Sequence, residues 1–216
     1  MQPILIVLLA TAAAVPLGLW LRRDLATLSY RNLDEVDLPD PGPRWWVVGC
    51  SVLAIGGLAA TAAMSHDTLA YVPLIPLAVT GPWLAAVDFD VLRIPNRVLA
   101  PTAVATMLAV VGITVATQAW MTLIVPTVAA LATGGVFAAV HFASKAGIGF
   151  GDVKVAAIIG LAVGSLGLEV VWLSLLAGSA AALFWARARR RIGPIPYGPW
   201  LLCGAWFSEL APVSWQ

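Results

Sequence analysis

The sequence predicts an all-α fold: a polytopic transmembrane helical bundle of about eight spans, forming a single domain over residues 1–216. Three observations predict it. Hydrophobic residues make up 61% of the chain and charged residues only 11%, whereas a soluble domain carries about 25% charge. Apolar runs of roughly 17–22 residues recur, each about the length that crosses a bilayer. All 12 Lys and Arg residues fall in alternate loops, which is the charge bias of a membrane protein with a fixed orientation.

The runs lie at 3–20, 45–64, 68–87, 98–115, 121–142, 153–167, 168–185 and 197–210. No basic stretch precedes the first run, and Arg22 and Arg23 follow it. That is the wrong polarity for a cleaved signal, so it is expected to be the first span. The sixth and seventh runs are parted only by a short turn at 164–167, and the eighth is short and contains Glu209. Charge decides the count. Arg22, Arg23, Arg31 and Arg44 follow span 1, Arg93 and Arg97 follow span 3, Lys145 and Lys154 follow span 5, and Arg187, Arg189, Arg190 and Arg191 follow span 7. The opposite loops hold Asp67 and Glu169 and no base. Merging spans 6 and 7 puts the arginine cluster on the wrong side, so eight spans are expected, with the basic loops cytoplasmic and both termini facing away from the cytoplasm.

The loop 22–44 is the one sizeable polar segment. It carries Asp34, Glu35, Asp37 and Asp40 before Pro41, Gly42 and Pro43, and it is too short and too proline-rich for a core of its own. Seven of the ten tryptophans, Trp20, Trp45, Trp46, Trp83, Trp120, Trp185 and Trp200, lie near expected helix ends, where indoles favour the membrane interface. Within span 6, Ala156, Gly160 and Gly164 recur at four-residue spacing, a stripe suited to close helix packing.

Several functions are excluded or weakened. A net charge of +1 with dispersed bases offers no nucleic-acid surface. Cys50 and Cys203 lie in apolar runs and form no CxxC pair, which argues against structural zinc. His66 and His141 form no HExxH, and His141 reads as an interface or packing residue. Ser165 and Ser179 have no histidine on their expected side, which weakens a serine protease. No metal and no cofactor is expected.

Ionisable residues at membrane depth are costly and mark function. The candidates are Asp88 and Asp90 after span 3, Asp152 opening span 6, and Glu209 near the C-terminal end. The expected topology puts Asp88, Asp90 and Asp152 on one membrane face, where carboxylates from different helices can meet. Such a pair shares a proton: one member takes a proton from water and the other donates to a peptide carbonyl, which hydrolyses the bond without a metal or covalent intermediate. Asp152 follows three alternating glycines, Gly147, Gly149 and Gly151. An aspartate there can also simply cap a helix, but capping does not call for three glycines. Asp152 holds the place of the third glycine of a dinucleotide fingerprint, which excludes that motif. Near Asp88, Pro95 stops a helix and Asn96 can cap the next one. The physics of the segment alone does not choose between Asp88 and Asp90.

At these residues the chain resembles a known family. Gly149, Phe150, Gly151 and Asp152, followed by Lys154, resemble the GxGD motif of the type IV prepilin peptidases. Asp88, six residues before Ile94, Pro95 and Asn96, is similar to the other half of that signature; Asp90 does not match the spacing. Residues 195–199, Ile-Pro-Tyr-Gly-Pro, are similar to the family's C-terminal IPFGP-like stretch. The resemblance implies a bacterial aspartic endopeptidase of the inner membrane with Asp88 and Asp152 catalytic. Gly149, Gly151, Lys154, Pro95 and Asn96 would support the motif or the substrate, and Asp90 would stand outside the chemistry. It implies prepilin or pseudopilin precursors as partners, cut at the cytoplasmic face beside the bilayer. Larger members carry a cysteine-containing domain between the first two helices and methylate the new N-terminus. Here that place holds only the loop 22–44, so a short form without methylation is expected. Oligomeric state is open. The alternative is a small proton-coupled transporter or a scaffold using the same aspartates, for which an internal repeat would be expected and none is evident.

Overall fold

The computed structural model describes residues 2–143, 148–190, 193 and 195–209. Lys145, Gly147, Arg191, Leu210 and the side chain of Glu209 lie outside the described residues. Within them the chain forms eight α-helices and no strand: α1 Gln2–Ala26, α2 Trp46–Met64, α3 Ile75–Val91, α4 Asn96–Thr117, α5 Met121–Ala143, α6 Phe150–Val163, α7 Leu168–Ala188 and α8 Gly198–Glu209. A 3₁₀ segment, Thr68–Leu74, leads into α3, and a second, Gly164–Leu166, follows α6.

Six helices, all but α6 and α8, are long and apolar enough to cross a membrane; the 3₁₀ segment counts with α3. At 14 residues, α6 rises only about 21 Å, short of the roughly 30 Å of bilayer hydrocarbon. Enclosure explains this: only Phe150, Gly151, Lys154 and Ala157 of α6 are not buried. A helix surrounded by protein need not match the thickness of the lipid. Beyond its far end, Ser165 Oγ of the following 3₁₀ segment donates to Ala70 O at 2.6 Å, which ties this end to the 3₁₀ segment leading into α3. The span expected at 153–167 thus starts three residues earlier, and its end unwinds.

Small residues let neighbouring helices close on one another. A Cβ on Gly18 of α1 would stand 2.9 Å from Val48 Cα of α2, one on Gly160 of α6 2.7 Å from Ala129 O of α5, and one on Gly178 of α7 2.9 Å from Leu201 Cα of α8. Thr133 Oγ1 of α5 also donates to Ala156 O at 2.9 Å. The Ala156, Gly160 and Gly164 stripe therefore packs α6 on α5, as the spacing suggests. The helices so placed enclose α3, of which Leu77, Ala78 and residues 81–88 are buried.

Trp83 departs from the interface expectation. It lies in the middle of α3, 3% exposed, and its Nε1 donates to Asp24 Oδ2 at 2.8 Å. Trp46, Trp185 and Trp200 instead gather around Phe89, with ring centroids 5.9–6.2 Å away. They join α2, α7 and α8 at the end of the bundle where α3 terminates.

Candidate active site

Asp88 lies in the last turn of α3 and Asp152 in the first turn of α6, 4% and 7% exposed. Both carboxylates face the start of α8. The Gly198 N–H donates to Asp88 Oδ2 at 3.1 Å. A Cβ on Gly198 would stand 3.1 Å from Asp88 Oδ2 and 3.6 Å from Asp152 Oδ1. The two oxygens therefore flank one point, the place where Gly198 has no side chain, and are separated by no more than those two distances end to end. Asp152 Oδ2 accepts the Gly149 N–H at 3.1 Å, while the buried Oδ1 meets no hydrogen-bond partner of good geometry among the described residues.

The local chain explains how these atoms converge. Gly149 is the extended N-cap of α6, with ψ 151°, so Asp152 is not the cap but reaches back to it from the third helical position. At the end of α3, Leu92 adopts a left-handed conformation, φ 51°, and its N–H closes on Asp88 O at 3.0 Å. This is a helix-terminating geometry usually given to glycine, and it ends α3 before Pro95 is reached. Ile94 then packs against both other segments. A Cβ on Gly151 would meet Ile94 Cβ at 3.2 Å, and one on Gly198 would meet Ile94 Cδ1 at 2.8 Å. Three stretches distant in sequence, around 94, 151 and 198, are thus fitted together through one isoleucine and two missing side chains.

The remaining motif residues take different places. Pro95, extended with ψ 130°, is the N-cap of α4. Asn96 does not cap that helix: its Oδ1 accepts from Lys154 Nζ at 2.8 Å, joining the starts of α4 and α6. Lys154 also lies 5.0 Å over the Phe150 ring. His141 Nδ1 is 2.7 Å from Ile148 O, a packing contact beside the glycine stretch. Gly198 and Ile94 belong among the site residues, and sequence reasoning missed their roles; the 195–199 stretch was the available signal for Gly198.

Asp90 is held apart from this centre. Its carboxylate accepts from Arg31 Nε and Nη2, each at 2.9 Å, and from the Tyr30 hydroxyl, and it pairs with Arg44 Nη2 at 3.2 Å. Arg44 Nη2 also donates to the Tyr30 oxygen at 2.6 Å. Beyond α3, Arg93 Nη2 bonds Glu35 Oε2 at 2.8 Å and Tyr30 O at 3.1 Å. Burial, and then the carboxylate of Asp90, push the Tyr30 phenol above its ordinary pKa. The Arg93 hydrogen bond holds the Glu35 carboxyl below its ordinary value.

Two enclosed carboxylates on facing helices can act on a molecule between them as base and acid. Among the described residues no group of three His, Cys, Asp or Glu could hold a metal ion. An apolar cleft lined by Cys50 and Cys203 lies between α1, α2 and α8, away from this centre and without a carboxylate.

Residues 75–186, from the first residue of α3 nearly to the end of α7, match the model of the type IV leader peptidase family. The match takes in Asp88, Ile94, Gly151 and Asp152. Neither the curated proteins nor the solved structures yielded a match.

Proposed function

The chain belongs to the type IV leader peptidase family and is a multi-pass membrane peptidase, and from that premise we propose that it is an aspartic endopeptidase whose dyad is Asp88 and Asp152. The observation that supports the reading is the convergence of these carboxylates on Gly198, where a side chain is absent. Two carboxyl groups enclosed this closely hold one proton between them. The ionised member takes a proton from water as the water attacks the peptide carbonyl. The protonated member gives its proton to the carbonyl oxygen, and collapse of the tetrahedral adduct sends a proton to the departing amine. Neither a covalent intermediate nor a metal is needed.

The proposed substrate is a prepilin-like precursor with a short basic leader, a glycine before the cut and a following apolar helix. The leader's charge keeps it cytoplasmic while the apolar helix enters the bilayer, which brings the scissile bond to the membrane edge. We place the dyad at the cytoplasmic edge of a bacterial inner membrane because the basic loops share its end of the bundle. Arg44 reaches Asp90 and Lys154 reaches Asn96. No cysteine lies between α1 and α2, so the mature product is proposed to leave unmethylated.

The test is incubation of the purified protein with a synthetic prepilin leader, followed by N-terminal sequencing and mass measurement of the product. The expected result is one cut directly after the leader glycine, with an unmodified new N-terminus. Intact leader under conditions where the protein is folded counts against the substrate assignment, and a mass gain of one methyl group counts against the absence of methylation.

A further inference from the structure

We infer that residues 24–44 form a positioning strap for Asp88, with Tyr30, Arg31 and Arg44 closing on Asp90 to fix the last turn of α3. The inference rests on the peptidase reading above. Asp88 and Asp90 are two positions apart, which places them about 200° apart around the helix. They leave it on opposite sides, Asp88 inward to Gly198 and Asp90 outward to the strap.

The strap grips α3 and its exit on both sides of Asp88. Before it, Trp83 Nε1 bonds Asp24 at 2.8 Å. After it come Asp90, then Arg93 to Glu35 and Tyr30 O, then Arg97 Nη1 to Ser29 O at 3.3 Å. The centre of the grip is largely shielded: the side chains of Arg31, Arg44 and Asp90 are 4%, 6% and 7% exposed. Arg31 engages Asp90 through two parallel N–H groups, the bidentate geometry that fixes orientation as well as distance.

A connection between two packed helices needs only about 2–8 residues, and this one is far longer. Burying three charges to tie down a connector gives little net stability, but it holds an element in one place. The element held is a helix end, where the backbone otherwise frays, and it carries one half of a pair that must meet the other half across a fixed gap. Displacement of a reacting group by about 1 Å can cost about a hundredfold in rate. The rest of α3 is gripped along its length by the bundle, so loosening the strap frees the last turn and leaves the fold standing. Tyr30, Arg31, Arg44 and Asp90 are thus positioning residues, acting on Asp88 through the helix that bears it.

The experiment is steady-state cleavage of a synthetic prepilin leader in reconstituted vesicles by the unsubstituted protein and by Arg31→Gln, Arg31→Lys and Arg93→Gln, each checked for folding by thermal unfolding. Failure of the unsubstituted protein to cleave strikes the peptidase reading, and the strap is judged only on variants of an active enzyme. Arg31→Gln is expected to lower kcat about tenfold while KM stays within about twofold, because substrate binding is untouched and only the dyad's geometry loosens. Arg31→Lys, which keeps a charged donor to Asp90, is expected to recover most of kcat. Arg93→Gln cuts a more exposed tie and is expected to lower kcat less, again without raising KM; it decides the matter if the Arg31 variants do not fold. An unchanged kcat in both glutamine variants, a loss appearing in KM, or a lysine variant no better than glutamine would overturn the inference.

Discussion

Asp88 and Asp90 share the last turn of α3, yet the chain treats their charges in opposite ways. Asp90 is surrounded by two guanidinium groups and a phenol and satisfies both its oxygens. Asp88 has one backbone N–H for company and faces another carboxylate across the gap at Gly198. A carboxylate saturated with cations and donors is a poor base, since any proton taken displaces a strong interaction. A carboxylate left with few partners beside a second one keeps its proton chemistry available. The same residue type, two positions apart, thus serves as an anchor in one case and a candidate reagent in the other, and the difference lies wholly in what the neighbouring segments bring.

The largest effect that tests this contrast is on cleavage itself. Asp88→Asn and Asp152→Asn should each lower kcat by about 100- to 10,000-fold, as loss of a general acid–base group does. The double substitution should be no worse than either single, because the pair works as a unit. Leader cleavage at matched membrane levels measures this, and additive losses would mean that the two aspartates do not act as a dyad.

Stability should show the reverse order. Asp90→Ala leaves Arg31 and Arg44 buried without their carboxylate, which costs about 3–5 kcal/mol for a buried pair broken on one side. Asp88→Asn replaces one carboxyl of a buried, proton-sharing pair with a neutral group and should leave the unfolding temperature unchanged or raised. Thermal unfolding in detergent compares the two, and a larger loss in Asp88→Asn would remove the distinction between anchor and reagent.

Next comes geometry. Gly198→Ala puts a methyl group 2.8 Å from Ile94 Cδ1 and 3.1 Å from Asp88 Oδ2. It should cut kcat about 10- to 100-fold while the protein still folds; full activity would show that the gap is not used. The smallest effect belongs to the strap's rim. Glu35 has a folded pKa below its unfolded value because Arg93 bonds its charged form. Its contribution is therefore complete above the unfolded value of about 4.3 and is lost as pH falls through the lower folded one. Amide protection near residue 35, measured relative to the intrinsic exchange rate at each pH, should fall below about pH 4.3, and Arg93→Gln should weaken that dependence, the Asn32 N–H remaining on Glu35.

Much of the fold was legible because lipid imposes a simple code. Length and hydropathy found all eight helices, and the four-residue stripe at 156–164 named the face that packs on α5. The misplacements have physical causes. A helix enclosed by protein escapes the length rule, so α6 is short. A tryptophan bonded to a half-buried aspartate escapes the interface rule, so Trp83 lies inside. Asn96 was read as a cap because local sequence shows no competing partner, and the partner, Lys154, comes 58 residues later. At the site, the family resemblance pointed to Asp88 and Asp152, but nothing local to Ile94 shows that it meets Gly151 and Gly198. The role of Asp90 was equally hidden, because its cations lie 46 and 59 residues upstream.

The enclosure of α6 also bears on how the protein is made. A nascent chain enters the membrane from its N-terminal end, and α6 leaves the ribosome before α7 and α8 exist. Fourteen residues headed by an aspartate are a weak insertion signal, so α6 depends on α5 to hold it until the later helices arrive. The point where Asp88 meets Asp152 needs Gly198, which is synthesised 46 residues after Asp152. Until translation reaches α8, a ribosome-bound chain carries both aspartates without the segment on which they converge.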